Sequence, residues 1–170
     1  FQSPVLWHEM SSCAPAFSWN LDISFLRGDR VRFWEGLNAM LAGAMTRDLF
    51  CEVETRNGMF AINYVVPFIF RHLRNALVYE NGSRLELLRM LSREWVSFDA
   101  PLEMGRLPTC FGPMDLRLAC REEENRIDID VVLPARRAPN AVVLFVPEFL
   151  DASTMEVDGR PAPCRDGVLE

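Results

Sequence analysis

Apolar and polar residues alternate from Gly112 onward, and this alternation limits the architecture more than any other feature. Met114, Leu116, Leu118 and Cys120 alternate with Asp115, Arg117 and Ala119. The polar stretch REEEN at residues 121–125 makes a turn, after which Ile127, Ile129 and Val131 alternate with Asp128 and Asp130. Successive strand side chains point to opposite faces, so the pattern predicts an antiparallel hairpin with one apolar and one wet face. PARRAPN at residues 134–140 is a Pro-rich connection, AVVLFVP reads as a buried strand, and STMEVDG as another. Short strands at regular spacing predict a β-sandwich. The last hairpin breaks off at GVLE, which suggests a truncated sandwich and a piece of a larger protein.

The first hundred residues follow a different rhythm. In VRFWEGLNAMLAGAMT, residues Phe33, Leu37, Leu41, Ala44 and Met45 fall on one helical face. In PFIFRHLRNALVYENG, Pro67 suits a first helical turn, and Ile69, Leu73, Ala76 and Leu77 form the buried stripe. Asn81-Gly82 ends that run. CEVETRNGMFAINY lies between the two helices as a hairpin or an ordered loop around Asn57-Gly58. RLELLRML reads as a buried strand, and SREWVSFDAPLEMGRLP as a loop-like connection.

Composition narrows the partners. The 170 residues are 49% hydrophobic and 25% charged, a globular profile rather than a disordered one. A net charge of −6 argues against a nucleic-acid partner, because phosphate binding needs a positive surface. No apolar run approaches the roughly 18 residues of a membrane span, so no membrane partner is expected. The 18 basic residues are all Arg. The five cysteines, Cys13, Cys51, Cys110, Cys120 and Cys164, form no CxxC pair, and only His8 and His72 could join them. This is not the ligand spacing of a zinc site, and no metal or cofactor is implied. Scattered thiols favour a reducing compartment, hence the cytoplasm. No phosphate loop, GxSxG elbow or HExxH occurs.

FIFRHLRNALVYENGSRLELLRMLSREWV followed by LPTCFGPMDLRL resembles the end of an (α/α)6-barrel glycosidase of the six-hairpin superfamily. The matching features are the LRN-leucine core of a last barrel helix, a closing segment with Trp95, and an element with Pro108, Thr109, Phe111, Gly112 and Pro113 that enters a C-terminal sandwich. MEVDGRPAP matches a late sandwich hairpin. The resemblance implies an α+β chain. Residues 1–104 would be the helical end of an α/α toroid, and residues 105–170 an incomplete, mostly antiparallel β-sandwich. It further implies a carbohydrate substrate and hydrolysis of a glycosidic bond.

Glycoside hydrolysis uses two carboxyl groups, about 6.5–9.5 Å apart in inverting enzymes. The acids nominated for this role are Glu9, in LWHEM, and Asp22, in FSWNLDISFLRG. Trp7, His8, Trp19 and Asn20 stand beside them as candidate substrate-binding residues, since sugar rings pack on aromatic faces and their hydroxyls need polar partners. Each has a structural alternative. Glu9 suits a solvated or capping carboxylate, and Asp22 a helix terminus or a pair with Arg27. Trp7 and Trp19 suit core positions, and Arg71 and Arg74 suit structural ion pairs. Glu52 and Glu54 fit a solvated loop, and Asp128 and Asp130 the wet face of a strand.

Two functional classes follow. One is a glycoside hydrolase fragment acting by paired-carboxylate acid–base catalysis. The other is a non-catalytic module that binds glycan, or packs against the rest of the same polypeptide or a second copy through a self-association surface. A polysaccharide lyase or a phosphorylase on the same toroid ranks below both; a lyase would draw its base from Tyr64, Tyr79 or the two histidines.

Overall fold

The computed structural model describes residues 14–44, 66–96, 100–152, 154–163 and 167–169. The chain divides into two compact units, Phe1–Leu77 and Val78–Glu170.

The first unit contains three described helices, α1 (Ala14–Arg27), α2 (Arg30–Ala44) and α3 (Val66–Leu77). The step from α1 to α2 is written in Gly28-Asp29. Gly28 takes φ +71°, which an L side chain adopts only at a cost. Its N–H donates to the Phe25 carbonyl, and the Asp29 N–H to that of Ser24, which satisfies the carbonyls left over at the end of α1. Asp29 then caps α2. Its Oδ1 accepts from the Arg32 N–H at 3.1 Å, and its own carbonyl accepts the first helical bond from Phe33. Two residues thus end one helix and begin the next. The buried side chains are Leu21 and Phe25 of α1, Phe33, Leu37 and Met40 of α2, and Ile69, His72, Ala76 and Leu77 of α3. The Phe25 and Phe33 rings lie 6.2 Å apart.

In the second unit, nine described strands form sheets of four, three and two. β1 (Val78–Asn81) and β2 (Arg84–Leu87) make a hairpin in register Val78 with Leu87. Its loop is Gly82-Ser83, with Gly82 at φ +61° and Asn81 opposite Arg84. β3 (Leu102–Thr109), β4 (Gly112–Arg121) and β5 (Arg126–Val132) form an antiparallel meander. A bulge shifts the β3–β4 register between Met104 and Leu107; there Arg106 takes φ +54°, and its N–H donates to Asp115 Oδ1 at 2.6 Å. β6 (Ala141–Phe145) returns to pair in parallel with β2, and β9 (Val168–Leu169) pairs antiparallel with β6. β7 (Glu156–Val157) and β8 (Arg160–Pro161) form a small hairpin through Asp158-Gly159, both at positive φ as a type I′ turn requires. The core of this unit holds Leu85, Leu87, Leu88, Met90, Leu91, Phe111, Met114, Leu116, Leu118 and Val143.

The fold is therefore mixed α+β, with mostly antiparallel sheets, none closed into a barrel. The alternation that begins at Gly112 is realised on β4, where Met114, Leu116 and Leu118 are each 1% exposed. The resemblance to a six-hairpin glycosidase is overturned. Among the described residues three helices of 12 to 15 residues accompany nine strands, and no helical toroid forms. The quoted segments fold differently from that family's pattern. Helix α3 stops at Leu77, and VYEN, read as helix, becomes β1, because Asn-Gly closes a hairpin that lets the β-branched Val78 bury against β2. REWV is a single 3-10 turn capped by Ser92, not a barrel-closing segment. PTCFGP is the tip of the β3–β4 hairpin, and β3 itself occupies a stretch read as loop. The loop around Asn57-Gly58 lies outside the described residues.

Candidate functional site

The first unit brings Asp22 of α1 to Arg71 and His72 of α3. Arg71 Nη2 donates to Asp22 Oδ1 at 3.0 Å and to Oδ2 at 2.8 Å. The guanidinium also lies over the Phe68 ring, 5.0 Å from its centroid, one helical turn earlier. This apolar floor and the carboxylate together fix where Arg71 points. Both partners are about two-fifths exposed, Arg71 at 42% and Asp22 at 41%.

His72 sits beneath this pair and is 1% exposed. Its position follows from the helical period, three residues after Ile69 and four before Ala76, on the buried stripe. The Phe33 ring meets it edge-on, with centroids 6.1 Å apart. Nδ1 stands 3.8 Å from Asp22 Oδ1, beyond a hydrogen bond, and Nε2 stands 3.5 Å from Arg71 Nη2. Burial pushes the imidazole pKa down to about 4; the Asp22 carboxylate opposes this and the Arg71 guanidinium adds to it. The ring is therefore neutral at pH 7. A neutral imidazole could accept a proton, but at 1% exposure it presents almost no surface to a ligand in this conformation.

In the second unit the ionic groups also bond across elements. Glu86, buried at 5% exposure, accepts from Asn81 Nδ2 at 2.7 Å and from Arg89 Nη1 at 2.5 Å. Arg89 in turn lies over Phe145 of β6. On the wet face of β3–β4–β5, Arg117 of β4 reaches Glu103 of β3 at 3.0 Å and Asp130 of β5 at 3.3 Å. Asp128 accepts from both Arg121 and Arg126, and these bonds hold its carboxyl below the usual range. Among the described residues no three His, Cys, Asp or Glu side chains gather as a metal ion requires. Cys110 is an exposed free thiol, and burial pushes the Cys120 thiol up.

Glu9, Trp7 and His8 lie outside the described residues. Trp19 belongs to α1, but its side chain is not among those described. Asn20 is exposed on α1, two residues before Asp22, a spacing that turns the two side chains to different sides of the helix. Asp22 pairs with Arg71. The sequence suits Arg71 to a structural ion pair without naming its partner, and it offers His72 as a metal ligand or a lyase base but not as a buried neighbour of Asp22; the signal for that burial is a polar residue on the apolar stripe of α3. No helix among the described residues is long and apolar enough to cross a membrane. No protein-family model, curated protein or solved structure matches this chain.

Proposed function

We propose that this chain is a non-catalytic structural module, with its two larger sheets stacked as a β-sandwich. The observation that carries this reading is the engagement of Asp22, whose two carboxylate oxygens both accept from Arg71 and so tie α1 to α3. A general acid or base needs an oxygen turned to substrate; both oxygens of this carboxylate already bond Arg71 across the two helices. The sandwich reading draws on buried Leu85 and Leu87, on one face of the four-stranded sheet, and on buried Met114, Leu116 and Leu118 in the three-stranded sheet, which supply two apolar faces to cover each other. The competing hydrolase reading would use Glu9 or Asp22 as acid or base.

Asp22→Asn in the full chain separates the two roles. A structural tie predicts a lower unfolding midpoint and unchanged behaviour toward a panel of glycosides and immobilised glycans. Loss of a measurable glycoside hydrolysis at an unchanged midpoint would overturn the reading and restore Asp22 as a catalytic acid.

A further inference from the structure

The β1–β2 hairpin places an asparagine directly before its turn glycine. Asn81 is exposed, and its Nδ2 donates to the buried Glu86 at 2.7 Å, so the amide nitrogen joins the last residue of β1 to β2. Glu86 receives its other bond from Arg89. Gly82 is exposed, and nothing lies within 4 Å of the place a Cβ would occupy. β1 is the outer strand of its four-stranded sheet, so Asn81 can leave its extended geometry by fraying that strand alone.

We propose that Asn81 is a site of spontaneous chemical modification, at which loss of ammonia inverts its interaction with Glu86 and loosens the hairpin. The Gly82 backbone nitrogen gives its proton to solvent base and attacks Asn81 Cγ. A C–N bond forms, the Cγ–Nδ2 bond breaks, and the amide nitrogen leaves as ammonia after taking up a proton. Water then opens the resulting succinimide at either carbonyl, giving aspartate or isoaspartate with no change of oxidation state. Either product replaces a donor to Glu86 with a carboxylate. Two carboxylates then crowd one site, with Glu86 buried and unable to relieve the repulsion by turning to water. The isoaspartyl product also adds an atom to the main chain, which breaks the pairing of residue 81 with Arg84.

Ageing the full chain in mildly alkaline buffer and mapping its peptides by mass spectrometry tests the chemistry. Conversion at Asn81 is expected on the order of ten-fold faster than at Asn20, Asn38, Asn75, Asn125 and Asn140, none of which precedes a glycine. Conversion at Asn81 no faster than at those five overturns the proposal. So does an intact Asn81 in molecules already converted at Asn57, which carries the same following glycine. The consequence is tested with Asn81→Asp, which should lower the unfolding midpoint, and by less in a Glu86→Gln background. An unchanged midpoint, or the same drop in both backgrounds, overturns the coupling to Glu86.

Discussion

Asp22 and Arg71 are 49 residues apart in sequence, and their side chains meet through two hydrogen bonds from a single guanidinium nitrogen. The pair joins α1 to α3 above a buried histidine. Because both residues are about two-fifths exposed, solvent screening keeps their mutual stabilisation small. A double-mutant cycle with Asp22→Asn and Arg71→Gln is expected to give a coupling of about 0.5–1 kcal/mol, read from urea unfolding. Additive effects would mean that the pair does not act as a tie in solution.

His72 predicts a dependence of stability on pH. Its pKa falls from 6.5 in the unfolded chain to about 4 in the fold, so the unfolded state binds the extra proton between those values. The stabilisation is fully present above pH 6.5 and is lost as pH falls through about 4. For this nearly inaccessible ring the shift corresponds to about 3 kcal/mol. His72→Leu should flatten the stability profile across that window, and an unaltered slope in the variant would assign the acid sensitivity to other groups.

The β4 face and the residue that follows β5 should respond differently to truncation. Leu116 is 1% exposed and sits between Met104 and Val131 in the register, so Leu116→Ala is expected to cost about 2–4 kcal/mol. Leu133, 46% exposed, should change stability by less than about 0.5 kcal/mol when truncated. Denaturant midpoints of the two variants provide the comparison, and equal losses would contradict the placement of the core.

Two glycines separate backbone strain from crowding. Gly159 has φ +72° and open space around it, so Gly159→Ala should cost about 1 kcal/mol through backbone conformation alone. Gly112 has φ +129°, and an added Cβ would stand 3.1 Å from Arg136 Cβ and 3.3 Å from Pro134 Cβ. Gly112→Ala should therefore lose more than Gly159→Ala in thermal unfolding. The reverse order would show that the chain at residues 134–136 yields freely.

Much of the local structure is legible without coordinates. The alternation through β4 and β5 and the Asp158-Gly159 turn follow from residue type and spacing, whereas helix α1 went unread. Strand β1 is not legible in this way, because no helix-ending residue stands between Leu77 and the Asn81-Gly82 pair. Only the pairing of Val78 with Leu87 selects the strand. Strand β3 is hidden for a related reason. Pro108 and Gly105 read as loop residues, and the bulge at Arg106 interrupts the alternation that would have marked it.

Residue order alone marks the β4–β5 hairpin, the Asp158-Gly159 turn and the apolar face of β4, since each depends on neighbours within a few residues. Which distant elements meet is settled by packing across the fold. β2 pairs in parallel with β6 across more than fifty intervening residues, and Asp22 finds Arg71 rather than Arg27. No periodicity encodes such choices. They follow from which apolar faces must cover each other, and side-chain charges then bond to whatever that packing brings within reach.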